Sequence, residues 1–212
     1  MKKKFAVLGD PIDHSWSPSI HKAFAEQFSL SIEYNKIKVE KGTLEQNLRL
    51  LLSKNYLGFN VTVPLKEEAY ILALEKDWKI SFRAKKAQAV NTLLWEHDKF
   101  FADNTDGFGL FKSLHHHGLF EINHSNVLVI GAGGAVRGIL PMFLKNDFEK
   151  VTIVNRGDTK LLELSRAFKS KIFSYCTLND FNARSLEKNH IRPISPKFDL
   201  IINGTSTGIQ NS

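Results

Sequence analysis

Two α/β domains are expected from this chain, on three observations. Short apolar runs of strand length alternate with stretches of helical periodicity along its 212 residues. In the second half the alternation is strict, one helix after each apolar run, which is the pattern of a parallel sheet wrapped by helices. A glycine-rich turn, Gly131-Ala132-Gly133-Gly134-Ala135, follows directly on the apolar run Val127–Ile130 and opens a helix, as in a doubly wound sheet. The boundary falls at the helix starting with Asp106, giving domains over residues 1–105 and 106–212 with a cleft between them.

Each element has a local reason. Phe5–Gly9 is a buried strand closed by a Gly-Asp-Pro turn. Ser17-Pro18 reads as a helix start, with Ser17 as N-cap and Pro18 at the first helical position; Ile20, Ala23, Phe24 and Phe28 then share one face. Ile32–Val39 is a strand, and Thr43–Leu52 a helix with Leu44, Leu48, Leu51 and Leu52 inward. Gly58–Val63 is a strand stopped by Pro64, and Ala89–Trp95 pairs with Phe100-Phe101 through a polar turn at His97-Asp98-Lys99. Asn104-Thr105 caps a helix from Asp106 to about His117, with Gly118 just beyond its end. The histidines His115-His116-His117 sit where helix-end carbonyls favour positive charge; neighbours on a helix point about 100° apart and do not converge on one metal ion. Past a polar break come strands at Val127–Ile130, Val151–Val154, Lys171–Tyr175 and Asp199–Ile202. Helices run from the glycine turn to Lys145, over Leu161–Phe168, and near Leu178–Leu186.

Composition narrows the function classes. The sequence is 42% hydrophobic, enough to build one large or two small cores, and no apolar run approaches the length of a membrane helix. The lysines at Lys2, Lys3 and Lys4 are followed by too short an apolar stretch for a signal peptide. A single cysteine, Cys176, rules out an internal disulfide and suits a reducing cytoplasm. The net charge of +7 asks for an anionic partner. The basic residues are scattered and not interleaved with aromatics, so an acidic small molecule or phosphate-bearing cofactor is expected, and neither nucleic acid nor membrane.

The turn Gly131-x-Gly133-x-x-Val136 on a strand-to-helix junction is a Rossmann-type fingerprint, in which bare backbone lets a pyrophosphate approach a helix N-terminus. Val136 departs from the usual third glycine or alanine, which predicts looser helix–strand packing. The next strand ends in Asn155-Arg156, with Thr159 and Lys160 at the following helix start. A dinucleotide site for NAD carries a carboxylate there to hold the ribose hydroxyls; a guanidinium and an ammonium match a 2′-phosphate instead, so the expected cofactor is NADP. Asp158 opposes that preference and leaves room for some NAD use.

Four polar clusters mark the first half: His14-Ser15-Trp16-Ser17-Pro18, Asn60-Val-Thr62-Val-Pro64-Leu-Lys66, Ala89-Val-Asn91-Thr92 and Asn104-Thr105-Asp106-Gly107. Singly, each is explained by caps and turns. In order, and followed by the glycine turn, Asn155-Arg156 and Asn203-Gly204-Thr205-Ser206, they resemble the shikimate dehydrogenase family over essentially the whole chain. The resemblance implies that Ser15 and Ser17 hold a substrate carboxylate, and that Asn60, Thr62 and Asn91 bind ring hydroxyls. It makes Lys66 and Asp106 the catalytic pair, both also touching substrate. NADP would lie on Gly131, Ala132, Gly133, Gly134, Ala135, Asn155, Arg156, Thr159, Lys160 and Thr205. The implied reaction is the reversible reduction of 3-dehydroshikimate to shikimate, in aromatic amino-acid biosynthesis. Reduction of a ketone by hydride leaves an alkoxide that needs a proton, which an ammonium at position 66 supplies. The partner is the small-molecule substrate, and a homodimer is compatible with the same reading.

Two features depart from the family. Its members continue well beyond the Asn-Thr-Ser segment, adding strands and a helix that returns to the N-terminal domain with a substrate-binding glutamine. A doubly wound sheet cut after four strands would expose an edge and an apolar helix face, so the expectation is a piece of a longer chain. The lysine-rich stretch Glu75–Gln88 is longer than usual, and no site residue is carried across it. The alternatives are a broader quinate/shikimate dehydrogenase and a non-catalytic dinucleotide-binding remnant.

Overall fold

The computed structural model describes residues 2–118, 124–185 and 197–205. The chain divides into two compact units, one running to Thr105 and the other spanning Asp106–Thr205.

The first unit is built on a six-stranded sheet in the order β2-β1-β3-β5-β6-β4. Its strands are β1 (Lys3–Gly9), β2 (Ile32–Lys38), β3 (Tyr56–Val61), β4 (Lys79–Ile80), β5 (Thr92–Glu96) and β6 (Lys99–Asp103). Strands β2, β1 and β3 are parallel, β5 runs antiparallel to both β3 and β6, and β4 is parallel to β6. The β5–β6 hairpin turns on His97 and Asp98, both with positive φ (50° and 61°), the backbone of a two-residue turn that matches strand twist. Helices α1 (Ser17–Gln27), α2 (Leu44–Ser53), α3 (Lys66–Glu75) and α4 (Phe82–Ala87) connect the strands. Leu44, Leu48 and Leu51 of α2 join Ala69, Leu72 and Ala73 of α3 in one buried core with Phe59, Val61, Leu93 and Phe100.

Two expectations change here. The N-cap of α1 is Trp16, and Ser17 is its first helical residue, so the serine is not the cap. Nor is the apolar face of α1 inward: only Ala25 is buried, while Ile20, Phe24 and Phe28 are about half exposed or more. Periodicity identified the helix without telling which face the sheet would cover.

The second unit is a four-stranded, all-parallel sheet in the order β10-β7-β8-β9. Its strands are β7 (Asn126–Ile130), β8 (Lys150–Asn155), β9 (Phe173–Thr177) and β10 (Leu200–Asn203). Its helices are α5 (Asp106–His116), α6 (Gly134–Phe143), α7 (Thr159–Ala167) and α8 (Leu178–Ser185). Alternate residues of one strand face opposite layers. Val127 and Val129 enter a core with Val136 and Leu140 of α6 and Leu161 and Leu164 of α7. Leu128 faces the other side, with Val154, Cys176 and Phe181 of α8. Helices on both faces make the sheet doubly wound, and the chain reverses direction across it at β7, between β8 and β10. Among the described residues no helix is long and apolar enough to cross a membrane.

Candidate active site

In the first unit the polar clusters gather at one end of the sheet through backbone geometry. Asn60 is the next-to-last residue of β3; Thr62 follows the strand, its amide bonded to the Leu8 carbonyl. Lys66 opens α3 and is partly buried, and its carbonyl accepts from the Val90 amide at 2.8 Å. That bond ties the lysine's turn to the segment carrying Asn91, whose own carbonyl accepts from Val61 at 2.8 Å. A cation at a helix N-terminus is disfavoured by the helix dipole, so stability of α3 does not explain the lysine.

Asn91 is only 9% exposed, and both ends of its carboxamide are engaged. Its Oδ1 accepts from the Thr105 amide at 3.1 Å and from the Thr92 hydroxyl at 2.8 Å, and its Nδ2 meets the Thr105 hydroxyl at 3.1 Å. Thr105 is therefore pinned by a side chain 14 residues earlier rather than serving only as a cap. Just before it, Asp103 is buried and bonded to Arg83, to the Ser81 hydroxyl and to the Asn104 amide. Burial alone would raise the Asp103 pKa; the hydrogen bonds from Arg83, Ser81 and Asn104, with the Arg83 charge, outweigh it and hold the carboxyl below its ordinary value. Asn104 donates to the Ala89 carbonyl at 3.0 Å. Asp106 is the next residue along the chain from this locked segment and opens α5.

Ser15 and Ser17 lie on the turn entering α1. Their hydroxyls are 3.1 Å apart, and the Ser17 amide donates to Ser15 Oγ at 3.3 Å. The turn grows from Gly9, where a Cβ would come within 2.5 Å of Thr62 and 2.8 Å of the Val63 carbonyl. Only glycine allows the Ser15 loop to leave β1 so close to the strand end bearing Thr62.

In the second unit the glycine turn sits where the sheet reverses direction, the place ligands occupy in open α/β sheets. Gly131 has φ +111°, and a Cβ there would meet the Gly204 backbone at 3.1 Å. Gly133, the N-cap of α6, makes no side-chain cap and faces open space. The first amides of α6 have no acceptor within the helix, and with no side chain at Gly133 an anion could approach them. Val136 does not loosen the packing: it is fully buried, and its Cγ2 fills the place where a Cβ on Gly204 would come within 2.5 Å. The room usually given by a small third residue is provided by Gly204 across the strand pair. Asn155 donates from Nδ2 to the Gly157 carbonyl at 3.0 Å, shaping a loop on which Arg156, Thr159 and Lys160 are exposed. Thr205, bonded to Asn203 Oδ1, closes the end of β10; Ser206 lies outside the described residues.

Several supporting contacts carried no sequence signal. His21 and Tyr34 stack at 4.1 Å, and Tyr34 donates to Asn60 Oδ1 at 2.6 Å, contacts between residues 13 and 26 apart in the chain. Gly107 is buried where a Cβ would lie 2.6 Å from the Gly138 carbonyl of α6. Arg137 of α6, 6% exposed, reaches Glu163 of α7 at 3.3 Å. Among the described residues no three His, Cys, Asp or Glu side chains gather as a metal site.

Comparison with known proteins gives the chain's family. The family description "Shikimate dehydrogenase substrate binding domain" matches residues 7–93, and "Shikimate / quinate 5-dehydrogenase" matches residues 113–204. A shikimate dehydrogenase (NADP(+)) of Alkalilimnicola ehrlichii is 38% identical over 215 residues, covering 99% of this chain and 72% of its own. One of Vesicomyosocius okutanii, with the same name, is 38% identical over 203 residues, covering 96% and 70%. The crystal structure of shikimate dehydrogenase from Aquifex aeolicus matches with a TM-score of 0.79 at 27% identity, over 100% of this chain and 71% of that one. The enzyme of Thermus thermophilus, solved with NADP(H) and shikimate, gives 0.73 at 29% identity over 96% and 68%. With identity of this level along nearly its whole length, the chain belongs to the shikimate dehydrogenase family.

Proposed function

We propose that this chain catalyses the NADP-dependent, reversible reduction of 3-dehydroshikimate to shikimate, with substrate held by the residues up to Thr105 and NADP by the unit from Asp106 to Thr205. The observation that carries the reading is the convergence of Asn60, Thr62, Lys66 and Asn91 at one sheet end in a member of this family. Ser15 and Ser17 donate two hydroxyl hydrogen bonds to the substrate carboxylate and add no competing charge. Asn60, Thr62 and Asn91 take the ring hydroxyls. Bound NADPH supplies the hydride. Lys66, as an ammonium, gives its proton to the ketone oxygen as the alkoxide develops; in the reverse direction the amine takes the proton back. Asp106 is the second member of the proposed catalytic pair and accepts a hydrogen bond from the reacting hydroxyl. Gly131 to Ala135 cradle the pyrophosphate, Asn155, Arg156, Thr159 and Lys160 hold the 2′-phosphate, and Thr205 lines the same turn. The reading places the enzyme in the cytoplasm, where Cys176 stays a thiol, and as a homodimer, which sedimentation of the purified chain tests.

The test is to follow the absorbance of reduced nicotinamide with shikimate or quinate as substrate and NADP or NAD as oxidant. Turnover is expected with shikimate and NADP, and Lys66→Ala lowers kcat by at least ~100-fold with KM within a few-fold. A mutant that turns over like the parent removes Lys66 from proton transfer. A parent faster with quinate makes the broader quinate/shikimate activity the correct reading.

A further inference from the structure

We propose that Tyr34, held by His21, is a positioning residue for Asn60: it fixes the carboxamide so that Asn60 offers the substrate an N–H donor and not its carbonyl. The inference rests on the reading that Asn60 binds a substrate hydroxyl.

An asparagine side chain carries an acceptor on one side and two donor hydrogens on the other, and a half-turn about its last bond exchanges them. An unrestrained asparagine in a polar site therefore presents either to a ligand. Here Tyr34 Oη lies 2.6 Å from Asn60 Oδ1. Burial pushes the Tyr34 phenol well above its ordinary pKa, so it stays protonated and keeps the O–H that it donates to Asn60 Oδ1. With Oδ1 taking that bond and the Asn91 carbonyl facing Nδ2, the amide is held in one orientation. On the other side Nδ2 reaches the Asn91 carbonyl at 3.5 Å, a long contact that leaves Nδ2 donor capacity for a ligand oxygen.

Tyr34 is itself held. It lies on β2, with β1 between it and β3, and its ring is stacked on His21 at 4.1 Å and 9° between planes. Burial lowers the His21 pKa, against the opposing pull of a hydrogen bond with Asn60, so the imidazole is neutral when the enzyme works near pH 7. His21 lies one turn past Ser17 on α1. The stack therefore joins the serine turn to the strand end bearing Asn60, coupling the two ends of the proposed substrate cradle.

The experiment uses the full chain with Tyr34→Phe, Asn60→Ala and the double variant. Tyr34→Phe removes one oxygen and keeps the stacked ring, so folding is not at stake. In steady-state oxidation of shikimate, Tyr34→Phe is expected to raise KM for shikimate about 5- to 10-fold, the effect of one neutral hydrogen bond. The value of kcat stays within two-fold and KM for NADP does not change. Because Tyr34 acts through Asn60, the double variant is no worse than Asn60→Ala alone. An unchanged KM, or losses that multiply in the double variant, overturns the proposal. A second readout is independent of turnover: the Asn60 side-chain amide resonances in a nitrogen–proton NMR spectrum shift on Tyr34→Phe. Resonances that stay in place overturn the clamp even in an active enzyme. A parent chain that fails to oxidise shikimate removes the functional reading, while the NMR result still decides whether Tyr34 fixes Asn60.

Discussion

Asp103 shows how a residue outside the candidate site holds the backbone that leads into it. Its side chain is 8% exposed, whereas that of its partner Arg83 is 44% exposed, so the carboxylate is desolvated and the guanidinium is not. Removing the charge leaves Arg83 able to hydrate. Asp103→Asn is therefore expected to cost about 1–3 kcal/mol, below the loss from stranding a fully buried charge. The folded pKa lies below the unfolded value of about 3.9. The unfolded chain thus takes up the proton first as pH falls. The stabilisation is complete above about pH 4 and disappears as pH drops through the folded value. Urea unfolding of parent and Asp103→Asn between pH 7 and pH 2 should show a gap that is full at neutrality and closes in acid. A gap constant over that range would mean that the carboxylate's charge plays no part. The same variant loosens Asn104 and Thr105, so turnover should fall with stability.

Among the elements, legibility in the sequence followed how one-sided each segment is. Helix α2 was readable because Leu44, Leu48 and Leu51 form one buried stripe. Helix α3 was not: Ile71 and Leu74 are half exposed beside buried Leu72 and Ala73, so apolar residues surround it and no period stands out. The stretch after it, read as a lysine-rich insertion, is the edge strand β4 and the short helix α4, capped by Ser81 accepting from the Ala84 amide. The candidate residues were legible because they sit at strand ends in contiguous clusters. Their supporting contacts, Gly107 against α6 and Tyr34 against Asn60, were hidden because they depend on residues distant in sequence, although Gly107 itself stood in one of the clusters. Gly107 makes the sharpest test at this scale. Adding a methyl there forces α5 away from the Gly138 carbonyl and Met142. Gly107→Ala is expected to cost about 1–3 kcal/mol through overpacking and to lower kcat by displacing Asp106. Gly109 lies on the same helix over open space, so Gly109→Ala should be neutral or slightly stabilising. Equal thermal shifts for the two variants would show that close approach of α5 and α6 is not required.

At the scale of the whole molecule, the described residues of each unit form a core of their own, and the second unit has a further apolar cluster on the opposite face of its sheet. The net charge of +7 suits ligands that bring a carboxylate and phosphates. Because each unit has its own sheet, the ligands should leave distinguishable footprints in amide hydrogen exchange. The first amides of α6 have no acceptor within the helix, and a pyrophosphate would provide one. NADP is therefore expected to slow exchange at residues 131–136 and over 156–160, while shikimate alone slows it around residues 60–66 and 91. Replacing NADP by NAD separates the two parts of the nucleotide site. Protection at 131–136 should persist at saturation, because the pyrophosphate is common to both. Protection over 156–160 should weaken, because Arg156 and Lys160 lose the 2′-phosphate to which a guanidinium and an ammonium are matched. Asp158, the N-cap residue of α7 with no side-chain cap bond, places a negative charge in that loop. Asp158→Asn should accordingly widen the difference between the two nucleotides. Equal protection of 156–160 by NAD and NADP would remove Arg156 and Lys160 from cofactor choice and leave the glycine turn as the whole of the nucleotide site.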